Sequence, residues 1–299
     1  MRVDVNGILL LDKPLGLSSA AAVARVKYLF KARKAGHTGS LDPLASGLLP
    51  ICFGEATKFG AQLLDADKTY LVIARLGERT ASADLESPVI ETRALPPLST
   101  AAIEAALADF PRDYSQVPPM HSALKQDGRP LYEYARAGLT REREPRLIRL
   151  HELQLIEWTA PLLHFQVRCS KGAYIRVLAE DLAARLGTLA HLVGLRRIGV
   201  APFDGEALWT LDALEALAPA QREALLLPVD AALQAWRRVD LPASGVSAIR
   251  QGQSIDTPDT VPGTVRIYAD GLGFLGLGEV QSAGRLVPLR LISAPADRA

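Results

Sequence analysis

Cysteine is scarce in this chain: Cys52 and Cys169 are the only two in 299 residues, far apart and in no CxxC pair. That scarcity argues against a disulfide-built secreted domain and a thiolate metal site, so each reads as a small core residue in a reducing compartment. The five histidines have no ligand spacing, and no metal is expected. Long apolar runs are missing as well. The short one near the start, Ile8 to Leu11, gives way at once to Asp12 and Lys13. Neither a signal peptide nor a membrane span fits that pattern, and a cytoplasmic location is expected. A dominant charge is absent too, because 34 cations against 33 acids leave a formal net charge of +1.

What is present is ordinary in amount and uneven in placement. The length suits roughly two domains of about 100 to 200 residues. A hydrophobic share of 48% and a charged share of 22% are those of a folded globular protein. The cations cluster. Ala24 to Lys34 carries Arg25, Lys27, Lys31, Arg33 and Lys34 with no acid, and Arg168 to Arg197 carries six cations against Glu180 and Asp181. Either run alone reads as a solvated face, and both together could meet phosphates. Lysine is absent after Lys171, and from Val239 onward five arginines face six acids, so charge is not the tail's main instrument.

The opening GILLLDK predicts a strand stopped by Pro14 and Gly16, then a helix capped by Ser18 or Ser19 and running to about Phe30. GHTGSLDPLASG predicts an irregular surface loop. A helix over Ala56 to Leu64 and a buried strand over Thr69 to Gly77 follow, then a helix from Thr100 that ends before Pro111. Pro118 to Pro145 is polar, cationic and proline-bounded, an excursion around a short helix near Leu131 to Ala137. Leu147 to Cys169 alternates as two strands, and Tyr174 to Leu186 has helical spacing with Arg176 in its first turn. Helices are expected around Leu211 to Leu217 and Arg222 to Trp236, and beyond Val239 the pattern reads as all β, a small barrel. Gly271, Gly273 and Gly276 spell GxGxxG, but a strand-like run follows where a dinucleotide site needs a helix, so these glycines read as turns.

Three blocks are long and specific together: LDKPLGLSS, GHTGSLDPLASGLLPICFGEATK and CSKGAYIRVLAEDL, joined by VPPMHSALKQDGRPLYEYARAG. Over about the first 240 residues the chain resembles the TruB family of tRNA pseudouridine synthases acting at position 55, and the tail more weakly resembles that family's PUA domain. Two departures are Met120–His121, where relatives usually place tyrosine before the serine, and Ser18, where threonine is commoner. The resemblance implies an α+β fold: a catalytic core over 1–238 with a central, mostly antiparallel sheet flanked by helices, an RNA-binding thumb at about 118–146, and a PUA-like β-barrel domain over 239–299.

It also implies chemistry. Pseudouridine formation cleaves the N1–C1′ bond, turns the uracil and rejoins it through C5 with no net redox change, so no cofactor is expected. Asp42 matches the family's nucleophile, a carboxylate oxygen expected to be buried; by spacing alone it is a turn residue before Pro43. Arg176 matches the arginine paired with that carboxylate, and Tyr70 the active-site tyrosine; read alone, they are a surface arginine and strand packing. Substrate contacts are implied for His37, Tyr174 and Leu195, with Lys13 and Pro14 shaping the floor. The implied partner is the T arm of tRNA, whose uridine must be flipped out. The relatives guided by small RNAs usually carry extended basic tails. This chain starts almost at its motif, so no guide RNA is expected, and the enzyme is expected to act as a monomer. The competing reading is a non-catalytic tRNA-binding or folding protein using the same cleft.

Overall fold

The computed structural model describes residues 2–293. Strand β1 (Gly7–Lys13) is buried along nearly its whole length, and Pro14 halts it. Helix α1 (Ser19–Leu29) starts where Ser18 Oγ accepts from Ala21 N, as its sequence predicts, and buries Ala22 and Val26. The segment expected to be wholly irregular is partly regular: His37 closes a short strand β2 (Ala35–His37), and Ala45 opens β3 (Ala45–Phe53). The cause is tertiary pairing, because β2 lies antiparallel on β3, which in turn pairs with β1. Next come a 3-10 turn over Gly54–Phe59, helix α2 (Gly60–Asp65) and β4 (Lys68–Leu76), whose residues alternate between buried and half-buried.

A small hairpin of β5 (Glu78–Thr80) and β6 (Val89–Thr92) leads to α3 (Thr100–Ala108). Ser99, rather than Thr100, supplies that helix's cap. Strand β7 (Asp113–Gln116) precedes the polar excursion, which holds a two-residue pair, β8 (Lys125–Gln126) and β9 (Arg129–Pro130), and helix α4 (Leu131–Arg136). The long hairpin of β10 (Arg146–Thr159) and β11 (Leu162–Cys169) follows, then α5 (Ile175–Arg185), stopped at Gly187 in the left-handed region at φ 76°.

Strand β12 (Ala190–Val200) is absent from the sequence reading, yet it occupies the middle of the sheet. The order is β1-β3-β12-β4-β11-β10-β7, with β2 on β3, and among these pairs only β12 with β3 is parallel. The mostly antiparallel core is therefore as expected, and α1, α3 and α5 pack on its main hydrophobic cluster.

Helices α6 (Leu211–Ala216) and α7 (Pro219–Glu223) come next. The helix expected over Arg222 to Trp236 does not form: α7 ends at Glu223, Pro228 cannot continue a helix, and only a 3-10 turn at Ala231–Leu233 remains. The tail is not all β either. Between β13 (Arg237–Leu241) and β14 (Ile255–Asp256) lies helix α8 (Ala243–Arg250), which buries Val246 and Ile249. With β15 (Gly263–Ala269), β16 (Gly273–Gln281) and β17 (Arg285–Leu291) the strands form a curled half-barrel ordered β13-β15-β16-β17-β14. The GxGxxG glycines sit in and after the β15–β16 turn, and a Cβ on Gly276 would lie 2.3 Å from Arg290 O. Among the described residues no helix is long and apolar enough to cross a membrane.

Candidate active site

The loop after β2 is tied at several points. Ser19 Oγ, buried at the start of α1, accepts from Leu41 N at 2.7 Å and bonds Leu41 O at 3.0 Å. Asp42 O accepts from Ala45 N at 3.0 Å, and Pro43 O accepts from Gly16 N at 2.7 Å. The helix start and the loop thus fix each other, and the backbone on both sides of Asp42 has hydrogen-bonded partners. The Asp42 side chain is not buried as expected: it is 42% exposed, with Oδ2 3.0 Å from Arg176 Nη2.

Arg176 is the opposite of the surface residue that its helix position suggests, being 5% exposed at the start of α5. Its fork is used on both sides. Nη1 donates to Ser82 O at 3.0 Å and lies 3.5 Å from Asp84 Oδ2, while Nη2 also donates to His121 O at 2.8 Å. One planar cation therefore joins the Asp42 loop, the loop between β5 and β6, and the root of the excursion.

These groups edge a cleft of about 300 Å³ that brings together Asp42, Tyr70, Tyr174, Arg176 and Leu195. Tyr70 is an inward residue of β4; burial pushes its phenol up, opposed by the charge and hydrogen bonding of Arg197, so it is neutral at neutral pH. Tyr174 has its backbone clamped by Gln116, which donates to its carbonyl and accepts from its N–H. Leu195 sits in β12 opposite Val72.

The other three residues lie outside the cleft wall. Lys13 is fully buried, with Nζ donating to Pro14 O at 2.9 Å and Leu17 O at 2.6 Å. Burial pulls its amine down to about 8, against the attraction of Asp42. Pro14 is exposed, and its carbonyl is what Lys13 holds. His37 is half-buried with Nδ1 unpartnered; burial, then the charge of Arg197, lower its pKa from the ordinary imidazole value.

Three models of protein families match the chain. One described as TruB family pseudouridylate synthase (N terminal domain) matches residues 27–175. A tRNA pseudouridylate synthase B C-terminal domain matches 176–234, and a Pseudouridine synthase II TruB, C-terminal, matches 238–292. The chain is 50% identical over 301 residues to a tRNA pseudouridine synthase B of Sodalis glossinidius, covering 98% of this chain and 96% of that protein. It is 50% identical over 298 residues to one from Burkholderia mallei, covering 97% and 98%. The chain belongs to the TruB family.

The TruB fold also appears in solved structures of lower identity. An H/ACA RNP bound to a substrate RNA containing 2′-deoxyuridine matches with TM-score 0.72 and 23% identity, covering 97% of this chain and 86% of that one. A Cbf5-Nop10-Gar1 complex matches with TM-score 0.69 and 23% identity, covering 97% and 84%. At that identity the likeness is one of fold.

Within this TruB chain, sequence reasoning missed three buried charged groups, two in the cleft wall and one behind Arg176. Asp84 is 1% exposed beside Arg176. Lys68 and Arg197 line the cleft and are 6% and 1% exposed, although Arg197 reads as part of a solvated basic run. No local signal marks them, since each is buried by strands distant in sequence.

Proposed function

We propose that this protein isomerises uridine 55 in the T loop of tRNA to pseudouridine, with Asp42 as nucleophile. The observation that carries the reading is the Asp42–Arg176 ion pair of 3.0 Å at the edge of a cleft walled by Tyr70. A carboxylate left 42% exposed can reach a ligand, while a guanidinium held on two sides keeps it aimed. A uridine in a folded T loop lies out of reach of such a group, so the nucleotide is flipped out and its lost stacking is offset by contacts elsewhere. Asp42 attacks the sugar or the ring, the N1–C1′ bond breaks, the uracil turns, C5 bonds to C1′ and the Asp42 carboxylate is released. The C5 proton is lost and N1 gains one, with no net change in protons or electrons. Tyr70 stacks on the base and offers a neutral hydroxyl for proton transfer. His37, Tyr174 and Leu195 contact the nucleotide, and Lys13 with Pro14 supports the floor.

The same reading divides the chain into a catalytic domain over 1–238, a thumb at about 118–146 that closes on the T arm, and a PUA-like domain over 239–299, of which residues 1 and 294–299 lie outside the described residues. The isomerisation has no net redox change, so no cofactor takes part. The enzyme works in the cytoplasm as a monomer without a guide RNA. Incubation with an unmodified tRNA transcript, followed by mapping of modified positions, tests the reading. Pseudouridine confined to the T-loop uridine supports it; modification elsewhere, or only with added guide RNA, contradicts it.

A further inference from the structure

Arg197 is the cleft residue left without a task. It is among the largest fully buried side chains, and its Cα partners are Tyr70 on β4 and Gly47 on β3. Nε donates to Leu48 O at 2.7 Å, and Nη2 to Gly39 O, in the Asp42 loop, at 3.1 Å. Tyr70 is its directly opposite neighbour on β4, and both side chains line the cleft. A Cβ on Gly39, where φ is 117°, would sit 3.6 Å from Nη1, so the loop backbone packs against the guanidinium.

Its charge is unusual. Arg176 meets two carboxylates, whereas among the described residues Arg197 has no ion pair. Burying a guanidinium without a counter-charge is unfavourable, so a stability role alone accounts poorly for it. Lys68 makes an instructive contrast. Its ammonium donates to Leu63 O, Leu64 O and Ala66 O, which saturates all three donors and caps the end of α2. Lys68 therefore has nothing left to offer a substrate, while Arg197 links the loop that carries one reactive group to the strand that carries another.

We propose that Arg197 is a positioning residue of this active site, holding the Gly39–Asp42 loop and the Tyr70 phenol in one frame so that carboxylate and hydroxyl address the same flipped uridine. The proposal rests on the function proposed above. The full-length chain carrying Arg197→Gln, Arg197→Lys, Tyr70→Phe or Arg197→Gln with Tyr70→Phe is assayed for single-turnover release of tritium from tRNA transcripts labelled at uridine C5. Filter binding gives tRNA affinity, and thermal melts report folding.

Arg197→Gln slows release about 100-fold, the scale of an ångström-sized misplacement, with affinity within about threefold. Arg197→Lys, which keeps the charge without the planar fork, recovers part of that loss. In the Tyr70→Phe background the further loss from Arg197→Gln shrinks to below about fivefold, as for two groups acting as a unit. If Arg197→Gln does not fold or Tyr70→Phe releases no tritium, the split between rate and affinity in Arg197→Lys decides. Release within about threefold of native in both Arg197 variants, or losses that multiply in the double variant, overturns the proposal. Failure of the underlying function looks different: the native chain releases no tritium from any transcript, and this proposal falls with it.

Discussion

At the scale of single residues, the site is built on shared charge. Arg176 neutralises Asp84, which is 1% exposed, while also gripping Asp42, which is open to the cleft. Arg176→Met would strand the Asp84 carboxylate, and urea unfolding should register a loss of about 3–5 kcal/mol. Adding Asp84→Asn should restore a large part of it; a double variant as unstable as the single would contradict the shared-charge account. Glu180 on α5 gives a separate pH test. Burial pushes its carboxyl from 4.5 up to about 7, against the pull of Arg79. Between those values the folded chain holds a proton that the unfolded chain has released, so this group's contribution to stability falls as pH rises through the window. The thermal stability of Glu180→Gln relative to native should therefore improve from pH 4.5 to 7 and then level off. The same difference at pH 4.5 and pH 8 would show that Glu180 does not titrate there.

At the scale of elements, much was legible and the exceptions have physical causes. The strand before Pro14, the helix after Ser18, the β10–β11 hairpin and α5 all carry their pattern and stop signals locally. Strand β12 does not: HLVGLRRIGV mixes arginines with glycines, and the register shifts beside Gly194 and Gly199. A Cβ on Gly194 would lie 3.0 Å from Ile73, and one on Gly199 2.0 Å from Asp204. These glycines serve close tertiary packing that only the folded sheet reveals. Gly47 is the sharpest case. It sits at φ 99° where β3 meets β12, and a Cβ there would lie 2.1 Å from Arg197 O. Gly47→Ala should cost more than about 3 kcal/mol or prevent folding, while Gly36→Ala, with open space around it, should stay within about 1 kcal/mol. Thermal melts of the two variants compare them directly, and equal melting points would refute the close approach.

At the scale of the whole molecule, the catalytic sheet and the C-terminal half-barrel have separate cores. They meet where Phe59 packs with Phe274, Leu233 and Leu277, and the pair of buried Asp230 with half-buried Arg266 adds a polar tie. The excursion between β7 and β10 was legible as an outlier in composition. Its tip stacks Arg129 and Arg141 on Tyr134, at 5.1 and 4.6 Å. Its root was not legible as part of the site, yet His121 O holds Arg176 and Ser122 lines the cleft. Replacing residues 124–142 by a short linker spares that root. It should weaken tRNA binding by about tenfold or more through lost phosphate contacts while leaving the melting of the core nearly unchanged. Unchanged affinity in filter binding would remove the thumb from the binding surface.

The most direct test is tritium release from unmodified tRNA labelled at uridine C5, comparing the native chain with Asp42→Asn after both are shown to fold and bind tRNA alike. The account predicts release by the native chain and none above background by the variant, because an amide cannot serve as the nucleophile. Release by Asp42→Asn at the native rate would contradict it.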